Sequence, residues 1–379
     1  MAAWCVREDG QDEGKSMQEQ HAIKHFAPSW FAVIMGTGGL ANILFLWEGQ
    51  FLWVWRPSLA VAALADVGYF LVLIPWLLRW VRHFDYVHRD LHHPVATNFF
   101  VTMPVATVIL GTNLHLIWSP YLGRELVFGL LLACWVIAIA GVAFFTLFTT
   151  FRFIRAEASP APETMNFSWI MAPIANMALL LLGNPVCGWA AQLRPQWCST
   201  ILVCNAAMLG IGFFLFLFIS AIIFVRLALH PLPPAETTPT FGIILSAAGL
   251  AVSAVLDLGA SARSLGLVTE TGLFSLAAAT LWGFGMWILA LILVICAYQW
   301  RRGGIPFSLG WWAFVFPLAA YTIGSQKIAL RFPSLLTRGY AMVLTVLLVG
   351  LWLYILGNTL RGVLRGTLFQ GKPIAQPEG

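Results

Sequence analysis

Charged side chains are scarce in this sequence. Asp, Glu, Lys and Arg together make up 10% of the 379 residues, whereas they make up about 25% of an ordinary soluble domain. Hydrophobic residues make up 60%, and so few charges cannot cover the surface of a globule of this size. The shortage excludes a cytosolic enzyme, a fibre, a coiled coil and a disordered chain. It predicts an all-α polytopic membrane protein.

Signatures of metal centres and of nucleic-acid binding are also missing. The net charge of +5 comes from basic residues scattered singly or in pairs between apolar runs, so no nucleic-acid partner is predicted. The cysteines show no CxxC spacing, so neither a metal site nor a cofactor is predicted. They are Cys5, Cys134, Cys187, Cys198, Cys204 and Cys296.

The N-terminal segment lacks a cleavable secretory signal. Residues 1–25 contain five acidic side chains and no apolar h-region. We therefore expect residues 1–25 to be a disordered cytoplasmic tail. Residues 26–362 are then the membrane domain, and residues 363–379 are a second cytoplasmic tail.

Long apolar runs are abundant. A helix that crosses the hydrocarbon core needs about 20 mostly apolar residues, and ten runs approach or exceed that length. An even number of spans places both termini on one side. The predicted spans are 28–47, 57–80, 94–114, 126–151, 167–187, 201–225, 241–256, 271–300, 307–326 and 339–360.

The distribution of basic residues predicts the orientation. With both termini in the cytoplasm, 14 Lys and Arg residues fall in cytoplasmic segments and 7 in external segments. The positive-inside rule therefore favours a multi-pass protein of the inner (plasma) membrane with both termini cytoplasmic. The external end of the ninth span is an exception, because Lys327, Arg331 and Arg338 all lie there.

Helix-breaking residues recur in the odd-numbered spans. Pro104, Pro173 and Pro317 are separated by 69 and 144 residues, and matching steps reach Gly36 in the first span and the neighbourhood of Ser246 in the seventh. This period of about 70 residues predicts five helical hairpins in a pseudo-five-fold arrangement. The odd helices, kinked at these five positions, would line a central pore. The general tolerance of membrane helices for Pro and Gly remains an alternative explanation.

Four ionisable residues are functional candidates. Asp66 is the charge deepest in any span, and both an interhelical hydrogen bond and a proton or gating role are open for it. Asp257, at the external end of the seventh span, is positioned to pair with Lys327. Lys327 and Arg331 lie one turn apart, so they predict a basic external mouth that attracts anions. Snorkelling to the membrane interface is the alternative for both.

Two cysteines are candidates for a disulfide. Cys187 and Cys198 lie at the external ends of the adjacent fifth and sixth spans, joined by a short loop. An oxidising compartment permits such a bond. Two unpaired thiols are the alternative, because cysteine is also a common small apolar residue in membrane helices.

Three sequence motifs resemble one known family. Residues 26–38 (FAPSWFAVIMGTG), residues 93–100 with His-Pro and Asn-Phe-Phe, and residues 311–317 (WWAFVFP) are similar to the tellurite-resistance/dicarboxylate transporter family. That family includes malate carriers, sulfite pumps and plant slow-type anion channels. The resemblance implies a ten-helix protomer, a homotrimer with one pore per protomer, and a phenylalanine that plugs the pore, which here is Phe316.

The resemblance and the composition together predict a transporter or channel for small anions. A C4-dicarboxylate such as malate is the first choice for the substrate. Sulfite or tellurite export, or a monovalent anion such as chloride or nitrate, is the alternative. An enzyme is not expected: a membrane-embedded redox or lipid-modifying enzyme needs intramembrane His or carboxylate groups at one depth. The lipid bilayer and small anions are the expected partners.

Overall fold

The computed structural model describes residues 23–51, 54–155, 162, 165–366 and 368. Every regular element in this part of the chain is a helix, which confirms the all-α class. The predicted tails fall outside the described residues, except for residues 23–25, 363–366 and 368. The α-helices are α1 (Phe31–Leu46), α2 (Trp55–Arg82), α3 (Phe84–His92), α4 (Thr102–Asn113), α5 (Arg124–Arg155), α6 (Met171–Ala178), α7 (Leu180–Leu193), α8 (Pro195–Leu229), α9 (Phe241–Ser264), α10 (Gly272–Arg301), α11 (Trp312–Arg331) and α12 (Leu335–Leu364).

Nine helical segments among the described residues are long and apolar enough to cross a membrane. They correspond to the predicted spans one to eight and ten. Helix α11, in the predicted ninth span, lies outside this set because Gln326, Lys327 and Arg331 make its C-terminal half too polar. Most of its residues, including Gln326, are nevertheless buried within the bundle, whereas Lys327 is half-buried and Arg331 is exposed.

Burial alternates along the chain. In α1, α4, α6–α7 and α9, 72–83% of the most apolar stretch is buried, whereas in α2, α5, α8, α10 and α12 only 22–33% is buried. We call α1, α4, α6–α7, α9 and α11 the core segments and the other five long helices the peripheral helices. Because the exposed faces of the peripheral helices are apolar, lipid is their natural solvent.

The core segments contact one another in a closed circuit. Helix α1 packs on α4, α4 on α6–α7, α6–α7 on α9, α9 on α11, and α11 returns to α1. Each core segment also packs on the peripheral helix that follows it in the chain. The circuit leaves an axis that all five core segments share.

Tryptophan hydrogen bonds join the first and last core segments to the peripheral helix α12. Trp47 Nε1, directly after α1, donates to Thr345 Oγ1 of α12 at 2.9 Å, and Trp352 Nε1 of α12 donates to Thr37 Oγ1 of α1 at 3.1 Å. Trp312 Nε1 of α11 donates to the hydroxyl of Thr359, also in α12, at 3.0 Å. An indole N–H has no water to bind in the bilayer, so each threonine supplies the acceptor that the buried donor requires.

Each core segment begins with a 3₁₀ turn. A 3₁₀ turn, which is narrower than an α-helical turn, is common at helix N-termini. Here one such turn precedes the α-helix of every core segment. The sequence-based reading missed this second repeat. The turns are Pro28–Trp30, Ala96–Phe99, Phe167–Ile170, Ala235–Thr240 and Leu309–Trp311.

Three of the five predicted kink positions do not coincide with an interruption of their helices, and a kink at each of them stays a prediction. Pro104 and Pro173 each occupy the third position of their helices, α4 and α6, where a backbone N–H has no intrahelical acceptor and a proline breaks no bond. Gly36 lies within the uninterrupted helix α1. A Cβ there would stand 2.9 Å from Val315 Cγ1, so this glycine allows α11 to approach closely instead of bending α1.

Of the three prolines predicted to break helices, Pro317 is the one that lies beyond the first turn of its helix. It is the sixth residue of α11, so its missing N–H leaves the carbonyl of Ala313 without the usual helical donor. Gly242 of α9 covers that carbonyl: a Cβ on Gly242 would lie 2.4 Å from Ala313 O. The absence of a side chain at position 242 therefore lets α9 pack directly over the opened turn.

A second glycine brings the backbones of α9 and α11 into contact. A Cβ on Gly249 would lie 2.4 Å from three backbone atoms, the carbonyl carbon of Ala320 and the N and Cα of Tyr321. From the other side, a Cβ on Gly324 would lie 3.0 Å from Gly249 O. Backbone atoms cannot rotate away as a side chain does, so this interface has no room for a methyl group.

Two local features lie outside or within the predicted spans. The segment after the second span, which holds His88 and His92, forms the short helix α3. The fifth span is interrupted at Leu179, where α6 ends and α7 begins, and not at Pro173. Pro185 lies inside α7, a few residues after Leu179. Because proline has no backbone N–H, the carbonyl one turn before it lacks its helical donor.

We predict that Gly249→Ala destabilises the protein by about 1–3 kcal/mol, because the added methyl group overpacks the contact between α9 and α11. The measurement is the melting temperature of the purified protein in detergent. Gly283→Ala is the matched control, since this glycine also lies in a helix, α10, but has open space around its Cβ position. Equal melting temperatures for the two variants would contradict the prediction.

Candidate pathway through the core segments

A cavity lies on the shared axis, at the N-terminal ends of the core segments. Residues from all five segments line it, so the five N-termini point the same way and converge on one space. The lining residues are Ser29, Ala32, Met35, Phe99, Val101, Thr102, Val105, Met171, Ile174, Ala175, Ala178, Ile243, Ser246, Leu309, Gly310, Trp312, Ala313, Phe316 and Pro317.

The cavity wall is apolar and carries no charged side chain. Ser29, Thr102 and Ser246 contribute its only hydroxyl groups. Ser246 Oγ donates to Ile243 O at 2.6 Å, and Thr102 Oγ1 donates to backbone carbonyls of the 3₁₀ turns. The space is narrow: its volume of about 40 Å³ holds roughly three water molecules.

The structure places three of the six predicted pore residues at this cavity. Phe316, Pro317 and Ser246 line it, from α11 and α9. Phe316 lies directly before Pro317 on α11 and is 6% exposed. Gly36, Pro104 and Pro173 are not among the lining residues. Pro104 instead contacts the position of Gly141 in peripheral helix α5.

Sequence reasoning missed most of the cavity wall. Met35, Thr102 and Met171 lie near the junction between a 3₁₀ turn and the α-helix that follows it. The feature that these residues share is that each follows a 3₁₀ turn within a few residues. The proline and glycine spacing concealed that signal, because Pro104 and Pro173 are not among the residues that line the cavity.

The two predicted mouth residues both have partners within the fold. Lys327 Nζ forms an ion pair with Asp257 Oδ2 at 2.5 Å, linking α11 to α9. Arg331 Nε donates to Ser275 Oγ of α10 at 2.7 Å, and its Nη2 donates to Thr271 Oγ1. The guanidinium group therefore points to a peripheral helix. Attraction of anions by both residues stays a prediction.

Asp66 lies away from the cavity, between a peripheral helix and a core segment. Its Oδ1 accepts a hydrogen bond from Asn113 Nδ2 and its Oδ2 accepts one from Trp118 Nε1, both at 2.7 Å. The carboxylate thus links α2 to the second core segment, α4. Asn113 ends α4, and Trp118 ends the π-helical turn Leu114–Trp118 that follows it.

Cys187 and Cys198 lie next to each other but are free thiols in this structure. Their sulfur atoms are 2.8 Å apart, which exceeds the length of about 2.05 Å of a disulfide bond. The sequence therefore predicted the proximity of the two residues, and the disulfide bond itself stays a prediction. Both side chains are buried between α7 and α8.

A bundle of apolar helices around an uncharged axial cavity defines a multi-pass membrane protein built for transport. The chain matches the family model SLAC1, described as "Voltage-dependent anion channel", over residues 25–360, and it belongs to this family. The family assignment made from the sequence motifs is thereby confirmed, because sulfite efflux pumps and a malic acid transport protein are among the similar proteins.

Several curated proteins are similar along almost the whole chain. An uncharacterized transporter of Methanocaldococcus jannaschii is 28% identical, with 92% of this chain and 96% of the relative covered. The sulfite efflux pump SSU1 of Trichophyton rubrum is 27% identical, with 86% of this chain and 88% of the relative covered. A putative malic acid transport protein of Schizosaccharomyces pombe is 22% identical, with 95% and 85% covered.

We predict that Asp66→Ala lowers the free energy of unfolding by about 1–3 kcal/mol, because it leaves the buried donors of Asn113 and Trp118 without an acceptor. The melting temperature in detergent is the measurement. Asp85→Ala removes an exposed carboxylate from α3 and serves as the control. An unchanged melting temperature for Asp66→Ala, together with a changed pH profile of transport, would instead favour the proton or gating role.

Proposed function

We propose that this protein passes small anions along the axis of its core segments. The observation that carries the proposal is the cavity: five segments converge on a narrow space with no charged side chain, and an aromatic ring lies in its wall. An uncharged, constricted path lets an ion leave again, whereas a fixed charge at that depth would trap it.

The helix termini around the cavity favour anions over cations. The N-terminal turns of the core segments surround it, and a helix N-terminus carries a partial positive charge of about half an elementary unit. Unpaired backbone N–H groups in the first turns add to this effect. The cavity thereby acquires a positive potential without a lysine or arginine in its wall.

The proposed membrane arrangement is the ten-span bundle expected from the sequence. In it, α11 is the additional membrane span, the ninth in chain order, although its hydropathy is lower, because most of its residues are buried in the bundle. The pseudo-five-fold arrangement of five hairpins is consistent with the circuit of contacts. The positive-inside rule supports cytoplasmic termini in a plasma membrane, which puts the cavity on the cytoplasmic side. The homotrimer is supported by the family resemblance alone.

Among small anions we place sulfite first and a C4-dicarboxylate such as malate second. The relatives named as sulfite efflux pumps have the higher identity, and one relative is named a putative malic acid transport protein. The narrowness of the cavity also favours a compact anion, although rotation of Phe316 would widen it. Tellurite and the monovalent anions chloride and nitrate are further candidates. Membership of a channel family supports transport over a membrane-embedded enzyme.

The test of this function is anion flux in proteoliposomes that contain the purified protein. Uptake of sulfite, malate, tellurite, chloride and nitrate is measured at a fixed membrane potential, with protein-free liposomes as the control. We expect uptake of at least one of these anions above the control, with sulfite fastest. Absence of flux for all five from correctly folded protein would overturn the proposal.

The proposed gate residue gives a sharper prediction. Phe316→Ala is expected to raise the flux several-fold, because the smaller side chain leaves the constriction wide enough to hold water. Phe314→Ala is the matched control: this phenylalanine lies two residues away on α11, packs near Gly242 and does not line the cavity. If Phe316→Ala is folded and its flux equals that of the wild type, Phe316 is a packing residue and not a gate.

A further inference from the structure

The ion pair of Lys327 and Asp257 lies on the same helix faces as the cavity. Asp257 follows Ser246 by eleven residues on α9, and Lys327 follows Phe316 by eleven residues on α11. Eleven residues make about three turns of α-helix and rise about 16 Å. Each charged residue therefore continues a stripe that begins in the cavity wall, and the pair lies on the axis toward the C-terminal end of the bundle.

A histidine of another core segment lies toward the same end of the bundle as this pair. His115 belongs to the π-helical turn Leu114–Trp118 that follows α4. Trp189 Nε1 of α7, which only donates, forms a hydrogen bond of 3.1 Å with His115 Nδ1. In the neutral imidazole the remaining proton is then on Nε2, where it is a second donor for an oxyanion. Four core segments thus contribute polar groups at this end of the bundle, and we call these groups the exchange cluster: His115, Trp189, Asp257 and Lys327.

The backbone beneath His115 is irregular. Residues Leu114–Trp118 form a π-helical turn at the end of α4, and such turns are rare and frequent at functional sites. The same turn supplies Trp118, which donates to Asp66. The wider turn therefore directs one side chain to the exchange cluster and another to the peripheral helix α2.

The ion pair is partly accessible. The side chain of Lys327 is 24% exposed and that of Asp257 is 31% exposed. An anion arriving from solvent can reach the ammonium group, but it finds one carboxylate oxygen already 2.5 Å from Nζ. A carboxylate and a sulfite ion both present negatively charged oxygens of this kind, so each can take the place of Asp257.

We propose that the exchange cluster is an anion-recognition site in which the carboxylate of Asp257 is the resident ligand that a transported oxyanion displaces from Lys327. Binding then breaks one ion pair as it forms another, with His115 Nε2 as an additional donor. The exchange keeps the affinity low enough for release, which a free lysine on the path would not allow. This inference rests on the proposed function.

The test compares variants by the half-saturating external concentration of sulfite and malate in proteoliposomes. Asp257→Asn leaves Lys327 without its resident ligand, so the half-saturating concentration should fall several-fold and the maximal rate should fall as well. Lys327→Gln should raise the half-saturating concentration. Arg263→Gln is the matched control, because it removes one exposed positive charge near the same end of α9 and should leave the value unchanged.

A binding measurement that needs no transport separates this inference from the proposed function. The rise in melting temperature on adding sodium sulfite or malate, relative to gluconate at equal ionic strength, should be larger in Asp257→Asn than in the wild type and absent in Lys327→Gln. Lys327→Arg keeps the charge and should retain the rise. If neither the wild type nor any variant transports anions, the proposed function fails. The anion-induced melting shifts would still show whether anions bind at the exchange cluster.

Two results would overturn the site itself. One is a folded Asp257→Asn protein whose half-saturating concentration and anion-induced melting shift equal those of the wild type. The other is a Lys327→Gln protein that retains the full anion-induced shift. Either result would make the ion pair a clamp between α9 and α11 with no part in recognition.

Discussion

The backbone contact between α9 and α11 is the constraint on which the pathway depends. Where Gly249 meets Tyr321, no side chain separates the two helices, so their relative height and rotation are fixed. That registration places Ser246 and Phe316 in the wall of one cavity. Three turns further on, it also places Asp257 within an ion pair of Lys327. One tight interface therefore positions both the constriction and the exchange cluster.

Polar groups in the bundle follow the division between core segments and peripheral helices. Among the described residues, buried polar side chains are more numerous on the core segments, and the peripheral helices turn apolar faces outward. Trp47 and Trp352 join the two layers through hydrogen bonds to threonines. Each hydrogen bond gives an indole N–H an acceptor, which neither lipid nor an apolar protein interior would supply. These two tryptophan side chains thus attach a peripheral helix to a core segment.

Much of the fold was predictable from the sequence, because hydrocarbon imposes a length and an apolar composition that can be counted. Phe316 was implied by the family resemblance, and the structure places it in the cavity wall beside Pro317. The positions of Pro104 and Pro173 within their helices could not be read from the sequence, because a proline in the first turn breaks no hydrogen bond and 3₁₀ starts move that turn by several residues. The His115–Trp189 contact joins segments 74 residues apart, so no local pattern signals it.

The locked interface also bears on how fast the proposed gate can operate. If α9 and α11 cannot shift past each other without a clash between backbones, opening has to come from rotation of the Phe316 side chain within a fixed frame. Rotations of single side chains take place in picoseconds to nanoseconds when exposed, whereas collective helix movements take microseconds to milliseconds. Burial slows rotation of the Phe316 ring, but the energy barrier to opening then involves the side chain of one residue. The open state would then consist of many brief events, and its average frequency would set the conductance.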